Sequence, residues 1–250
     1  VSQQPLISDI AFEPLHKPSP GGSSFTRWFT DKETKSEWIG KCSVQAVLEK
    51  TEYNEYKEYL ASQLYELFGV KVPKTLLSKQ YLNEKIQQDK NWRRRKGINQ
   101  PKVHIFSQVL PGFELLGNTF VQDYKNSSNR NKKELFCIGE GKVPLRGFGR
   151  AMAVAILTHD YDFIGNTGRN IGYIPVENGN SFEILKIDPG EALTLEETLV
   201  NAKAVHNPFN KRGAVVGTQG GRIDYNELNE IDQKEFVQTL KEILEAKPSK

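Results

Sequence analysis

His159-Asp-Tyr-Asp-Phe-Ile-Gly-Asn-Thr-Gly-Arg-Asn170-Ile-Gly-Tyr173 and, further along, Ile184-Leu-Lys-Ile-Asp188-Pro-Gly-Glu-Ala-Leu193 hold the densest chemistry of this chain. The apolar run Ala151 to Leu157 just before them predicts a buried helix over Phe148 to His159. Gly165, Gly168 and the surrounding polar residues break that pattern, so Asp160 to Asn170 reads as a loop. Ile171 to Pro175 and Phe182 to Ile187 read as strands, and Glu177-Asn-Gly-Asn180 between them is a hairpin signal. A buried helix thus delivers a loop carrying Asp160, Asp162 and Asn170, and the hairpin brings Asn170 beside Asp188. Phosphoryl transfer needs such a set: one carboxylate to orient an attacking hydroxyl, and an amide oxygen with another carboxylate to hold Mg²⁺ on nucleotide phosphates.

Working outward, Ser8 to Leu15 reads as a strand, and Lys17 to Ser24, with Gly21-Gly22-Ser23-Ser24, as a turn-rich loop. Phe25 to Phe29 and Glu37 to Val44 predict an antiparallel hairpin closed by the polar turn Asp31 to Lys35. Tyr53 to Phe68 is an amphipathic helix whose apolar stripe is Tyr56, Leu60, Leu64, Leu67 and Phe68, with Gly69 as a left-handed cap. Val70 to Leu77 reads as a strand entered through Pro73, Tyr81 to Lys96 as a polar helix, and Val103 to Val109 as a strand closed by Pro111-Gly112. In the second half Val121 to Gly141 reads as a loop with a short helical piece, Leu193 to Leu199 and Glu227 to Ala246 as helices, and Asn201 to Arg222 as a mobile surface segment. The expected fold class is α+β: a strand-rich lobe over 1–110 with one long helix, a mostly helical lobe over 111–250, and a shared cleft in one catalytic domain.

The order of these elements and motifs resembles the protein-kinase superfamily, and its atypical branches more than the ordinary eukaryotic protein kinases. Those branches are the phosphoinositide 3- and 4-kinases, the HipA-like kinases and the kinase-like effectors of intracellular bacterial pathogens. The resemblance covers roughly residues 17 to 195. It implies a bilobal kinase-like fold, ATP and Mg²⁺ or Mn²⁺ as cofactors, and transfer of the γ-phosphoryl group. Carried over, Asp162 is the catalytic Asp, with Asp160 second, and Asn170 and Asp188 bind the metal. Asn170 is eight positions after Asp162 where the family pattern has five, and Asn166 lies between them. Asp188-Pro-Gly replaces the usual Asp-Phe-Gly.

The first half fits the same resemblance. Trp38-Ile-Gly-Lys41 places a lysine in a strand, and Glu58 opens the run Glu58-Tyr-Leu-Ala-Ser-Gln-Leu-Tyr-Glu-Leu-Phe-Gly-Val-Lys-Val-Pro73, similar to the corresponding helix of HipA-like and effector kinases. In kinases a strand lysine meets the α/β-phosphates and a helix glutamate holds it. Lys41 and Glu58 take those roles, with Lys35 and Glu55 as runners-up. Gly22, Ser23 and Ser24 would cover the phosphates, and Gln108 to Leu110 would meet adenine.

Composition sets the remaining bounds. With 37% hydrophobic and 26% charged residues over 250 positions, the chain can bury a sizeable core and belongs with soluble globular proteins. No apolar run approaches the roughly 20 residues of a membrane span, so no transmembrane segment is expected. A net charge of +3 argues for no specific nucleic acid. Cys42 and Cys137 are the whole cysteine complement, without a CxxC, and read as free thiols in a reducing compartment. His16, His104, His159 and His206 are too scattered for a metal site, and no Ser-His-Asp or Cys-His arrangement occurs. His159 reads as structural, its ring under the loop. Val1 stands where an initiator Met would, which reads as a trimmed beginning and leaves room for a removed targeting segment.

Lys90-Asn-Trp-Arg93-Arg94-Arg95-Lys96 is either a solvated surface or a polyanion site. Its candidate ligands are an inositol polyphosphate, a phosphoinositide headgroup, RNA or an acidic partner, and the resemblance to effector kinases, some of them switched on by a host inositol polyphosphate, adds inositol hexakisphosphate to that list. The resemblance also makes a protein hydroxyl the first expected acceptor and a phosphoinositide the second. It places the chain as a secreted bacterial effector in a host-cell cytoplasm, or otherwise in the cytoplasm. Three rivals stand beside the kinase: a non-catalytic nucleotide- or polyanion-binding module of kinase-like fold, a host-protein-interaction domain, and a metal-dependent hydrolase using Asp160, Asp162 and Asp188.

Overall fold

Alternation along a strand puts Trp38 and Gly40 on one face and Ile39 and Lys41 on the other, and this division organises the first half of the computed structural model. The structure describes residues 7–8, 11–18, 25–42, 53–78, 103–126, 137–138, 143–160, 162–165, 167–176, 181–190, 192–193, 209–210, 213–218, 221–224, 226 and 228–246. Contacts divide the chain into two compact units, Val1–Leu60 with Pro73–Leu110, and Ala61–Val72 with Pro111–Lys250.

The described strands of the first unit are β1 (Ile7–Ser8), β2 (Phe12–Pro14), β3 (Phe25–Asp31), β4 (Glu37–Cys42), β5 (Thr75–Ser78) and β6 (His104–Gln108). They form one sheet in the order β1-β5-β6-β4-β3-β2, antiparallel except for the β1–β5 edge. Phe12, Phe29, Trp38 and Phe106 collect on one face, each almost wholly buried. Phe12 stacks on Phe106 with ring centroids 4.3 Å apart although two strands separate β2 from β6, so the sheet coils strongly around this cluster. The opposite face carries Leu77, Val103 and Ile105, against which Tyr56 and Tyr59 pack from the helix α1 (Tyr53–Leu67). The β3–β4 turn is held by Asp31, whose carboxylate accepts from the Thr34 hydroxyl at 2.7 Å and the Glu33 N–H at 2.8 Å. These bonds, the Thr34 hydroxyl first, keep its pKa below the ordinary carboxylate value.

The expected stripe on α1 is only partly its buried face: Tyr56 and Phe68 pack on the cores. Leu60 is 52% and Leu67 73% exposed, whereas Glu58, Ala61, Ser62 and Tyr65 are buried. The helix turns polar side chains such as Glu58 and Ser62 inward, and leaves Leu60 and Leu67 largely in solvent. The strand expected over Val70 to Leu77 begins only at Thr75, with an isolated bridge at Lys71, and that over Ser8 to Leu15 is broken into β1 and β2. The helix expected over Tyr81 to Lys96 and that over Leu193 to Leu199 fall outside the described residues, apart from Leu193, which lies in a turn.

In the second unit α3 (Phe148–Thr158) is apolar on every side and buried accordingly, with Ala151, Met152, Ala153, Val154 and Ala155 at most 2% exposed. Its N-cap, Gly147, has no side chain to offer. Carboxylates of α4 (Glu230–Glu245) substitute: Glu235 accepts from the Gly147 N–H at 3.0 Å and Asp232 from the Gly149 N–H at 3.1 Å. The two helices approach so closely that a Cβ on Gly149 would lie 1.8 Å from the Asp232 carbonyl oxygen. Burial pushes the Asp232 carboxyl up to about 7 and raises Glu235 as well.

Around this helix stand β7 (Glu114–Leu115), α2 (Gly117–Asn126), β8 (Cys137–Ile138), β9 (Val143–Arg146), β10 (Ile171–Val176) and β11 (Ser181–Lys186). Their sheet runs β7-β10-β11-β9-β8, with β11 and β9 parallel. The hairpin predicted around 177–180 is present as β10–β11. Three expectations change here. Helix α2 begins at Gly117, inside and ahead of the segment read as a loop from Val121. The segment Asn201 to Arg222, expected to be mobile surface, contains β12 (Phe209–Asn210), β13 (Gly213–Thr218) and the start of β14 (Gly221–Asp224), paired as an antiparallel sheet. The second half therefore holds more strand than the mostly helical lobe expected, because short Gly-rich strands give no alternation signal. No helix among the described residues is long and apolar enough to cross a membrane. Cys137 is a free thiol.

Candidate functional site

The first unit presents a lysine–glutamate pair. Lys41 sits on the inner strand β4, paired with Thr26 of β3 and Ile105 of β6, and so shares the face on which α1 packs. Its Nζ lies 2.7 Å from Glu58 Oε2, with the two side chains 15% and 7% exposed. The runner-up Lys35 lies in the exposed β3–β4 turn, at φ 59°. Glu55 is buried one turn before Glu58 on the same helix. Gln108 and Leu110 stand half-buried where β6 ends, the Gln108 N–H bonded to the Lys74 carbonyl and the Val109 N–H to that of Glu37. Gly22, Ser23, Ser24 and Arg93, Arg94, Arg95 and Lys96 lie outside the described residues, as does Asn166.

The second unit presents the loop. Helix α3 ends on His159 in the left-handed conformation, φ 53°; the His159 N–H bonds to the Ile156 carbonyl and the Asp160 N–H to that of Ala155. This double closure is the Schellman pattern, normally made by Gly. The His159 side chain is exposed, so its part is played by the backbone and not by a ring packed under the loop. Phe163 is the residue tucked beneath, fully buried and edge-on to Phe148 at 5.7 Å.

The extra residues between Asp162 and Asn170 are absorbed by a tight fold-back. Gly165 and Gly168 both have positive φ, and a Cβ on Gly168 would lie 2.3 Å from the Gly117 carbonyl oxygen. The Asn170 N–H reaches the Ile164 carbonyl at 3.1 Å. The result is direct contact: Asn170 Nδ2 donates to Asp162 Oδ2 at 2.9 Å and to the Asp162 carbonyl at 2.7 Å. With the amide nitrogen committed to Asp162, the amide oxygen is turned away from it.

Asp188 follows β11 at the same end of the hairpin. Ile171 pairs with Lys186, and the Ile187 N–H bonds to the Asn170 carbonyl at 3.0 Å, so Asn170 and Asp188 stand at neighbouring strand ends. Asp188 is exposed and has φ 47°, strained for a residue that precedes a proline. The turn after it is anchored by buried Pro189 and by the Leu193 N–H on the Thr158 carbonyl at 2.7 Å. No group of three His, Cys, Asp or Glu that could hold a metal occurs among the described residues. What the loop offers is an amide oxygen and carboxylates, hard donors that suit Mg²⁺ or Mn²⁺ retaining water and phosphate as its other ligands.

Asp160 faces inward, 2% exposed. Its Oδ2 accepts from the Tyr65 hydroxyl at 2.8 Å and meets Lys186 Nζ at 3.1 Å. Burial first, then the Asp160 carboxylate, holds the Tyr65 pKa well above the ordinary tyrosine range, so the hydroxyl stays a donor. Lys186 is 0% exposed and its Nζ also donates to the carbonyls of Phe163, at 3.1 Å, and Asn170, at 3.3 Å. Sequence reasoning passed over Lys186 and Tyr65. The available signal was a lysine inside Ile184-Leu-Lys-Ile187, an otherwise apolar strand that tolerates a cation only beside a buried counter-charge.

No family model matches the chain, and no curated protein does. Its structure is similar to that of a Helicobacter pylori proinflammatory kinase, CtkA, with a TM-score of 0.51 and 15% identity over 96% of this chain and 82% of that one. The fold is therefore kinase-like and α+β. At that identity the likeness speaks for architecture, and the chemistry has to be argued from residues.

Proposed function

We propose that this chain is a phosphotransferase that uses ATP with Mg²⁺ or Mn²⁺ and passes the γ-phosphoryl group to a hydroxyl of a protein substrate. The carrying observation is the Asp162–Asn170 contact at the foot of β10, beside the strand end that bears Asp188. An eight-residue separation argued against the pair in the sequence, and the fold-back supplies the proximity that the family pattern obtains with five. The strained backbone of Asp188 supports a role there, since such conformations concentrate at working sites.

In this reading Asp162 orients the acceptor hydroxyl, Asn170 and Asp188 hold the cation, and Lys41, held by Glu58, meets the nucleotide phosphates. Gln108 and Leu110 border the adenine, and Gly22, Ser23 and Ser24 cover the phosphates. The cation, when bound, neutralises phosphate charge; positioning and electrostatics carry most of the catalysis. The lobes 1–110 and 111–250 make one catalytic domain. The likeness to a kinase supports the coarse activity. Secretion as a bacterial effector, the Ser/Thr class of acceptor, and activation by inositol hexakisphosphate at Arg93 to Lys96 rest on the sequence resemblance.

The test is label transfer from γ-phosphoryl-labelled ATP with Mg²⁺ or Mn²⁺, to a generic protein acceptor and to phosphoinositide liposomes, with and without inositol hexakisphosphate. Wild type is expected to label protein, and Asp188→Ala to lose at least about 10³-fold in rate with an unchanged melting temperature. Wild-type rate in that variant would sink the assignment. Labelling of lipid alone would replace the acceptor, and metal-dependent ATP binding without transfer would leave a non-catalytic module.

A further inference from the structure

An ammonium group has three protons to give and no lone pair to accept with. Lys186 places its ammonium where each proton has one acceptor: Asp160 Oδ2 at 3.1 Å, the Phe163 carbonyl at 3.1 Å and the Asn170 carbonyl at 3.3 Å. Those acceptors fall at the start of the loop, on the residue after Asp162, and on Asn170 itself. The side chain is wholly buried, so solvent supplies none of these bonds.

Burying a lysine is costly, and an apolar side chain of similar volume would often serve stability as well or better. Stability by itself therefore does not account for Lys186. What an apolar side chain cannot do is hold two loop carbonyls at a set separation. The loop otherwise has Gly165 and Gly168 inside it, both at positive φ and both permissive. The loop's other ties include the Gly168 N–H on the Gly165 carbonyl, the Gly117 N–H on that of Gly168, the Asn170 N–H on that of Ile164, the Ile187 N–H on that of Asn170 and the Asn170 amide on Asp162; none of these reaches Asp160.

We infer that Lys186 is a positioning residue, whose ammonium clamps the two ends of the 160–170 loop and thereby sets the Asp162–Asn170 contact. This deepens the phosphotransferase reading and rests on it for its catalytic consequence. Lys186 touches neither nucleotide nor acceptor; it acts through Phe163 and Asn170. Tyr65 completes the clamp from the other side by giving its hydroxyl proton to the same Asp160 oxygen that Lys186 meets. A lysine is needed for this because arginine spreads its donors over a planar fork too wide for three acceptors around one point.

The experiment separates clamp from ion pair. Lys186→Met alone strands a buried carboxylate and is expected to unfold easily, so the informative protein is the double variant Lys186→Met/Asp160→Asn. It removes both charges, and the introduced amide oxygen still accepts from the Tyr65 hydroxyl. If Lys186 served only to neutralise Asp160, the double variant regains wild-type melting temperature and wild-type transfer rate together, and the inference is overturned. The clamp predicts that folding returns while kcat stays about 100-fold down, with KM for ATP within about threefold of wild type. Amide hydrogen exchange supplies a readout independent of catalysis. Exchange at Asn170 and Ile187 is expected to rise in the double variant while α3 amides stay protected. Unchanged exchange at both would overturn the clamp even if no kinase activity were ever found. Absent transfer by wild type, together with raised loop exchange, would instead remove the functional reading and leave the clamp standing.

Discussion

Among the described lysines that end on carboxylates, Lys41 in the first unit and Lys186 in the second differ in what surrounds them. Lys41 meets Glu58 at 2.7 Å on a strand–helix face with 15% of its side chain still exposed. Lys186 meets Asp160 at 3.1 Å with none of its side chain exposed and two loop carbonyls as its remaining acceptors. The contact distances are alike and the consequences are not. In the proposed phosphotransferase, a lysine that keeps a path to solvent meets the nucleotide, and its glutamate steadies it for that. A lysine with every proton given to the protein can only shape the protein. Ion pairing by itself therefore does not distinguish the two lysines; exposure does.

The comparison breaks most readily through paired substitutions. Lys41→Met is expected to lower phosphoryl transfer on the order of 10³-fold while costing about 1–3 kcal/mol of stability for the glutamate left behind. Lys186→Met should cost about 3–5 kcal/mol, the penalty for an uncompensated buried charge. Denaturant titration of the two variants side by side decides: equal stability losses would show that exposure does not separate the pairs.

A third buried carboxylate sharpens the contrast because no cation is paired with it among the described residues. Asp232 relies on the Gly149 N–H and on Asn229, and burial lifts its pKa from an ordinary 3.8 to about 7. The folded state then holds this proton where the unfolded state has released it. The contribution is fully present below about pH 4 and is lost as the pH rises through about 7. Glu235, also raised, adds to the same slope, and Arg150 and Arg146 near it work against the shift. Wild type minus Asp232→Asn is expected to change by a few kcal/mol over that window, and a flat difference would show that the N–H groups compensate the charge fully. The smallest expected effect is Leu67→Gln, within about 0.5 kcal/mol, since Leu67 is 73% exposed. A larger loss would restore the apolar stripe as a packing face.

Much of the arrangement was legible in advance where the signal is local. The helix over 148–158 follows from its continuous apolar residues, and the β10–β11 hairpin from Asn178-Gly179 between alternating runs. Lys41 with Glu58, and Asn170 with Asp162 and Asp188, could be nominated from residue type and order. The misreadings have a common cause. The exposure of Leu60 and Leu67, the sheet hidden in Asn201 to Arg222, and the helix starting at Gly117 all depend on which partner a segment finds in space. Periodicity counts apolar residues and cannot see a polar partner far away in the chain.

What the sequence by itself determined is the list of chemical groups and the short-range conformations: which stretches prefer helix or strand, where glycine permits a reversal, and which carboxylates, amide and lysines are there to be used. Tertiary structure decided their surroundings. It folded eight residues back so that Asn170 touches Asp162, left Asp188 exposed on a strained backbone, turned Asp160 inward, and gave Lys186 three acceptors. The physical reason is that a charge is defined by its surroundings. Burial and hydrogen-bond partners come from segments distant in the chain, and they set whether the same side chain binds, positions or merely solubilises.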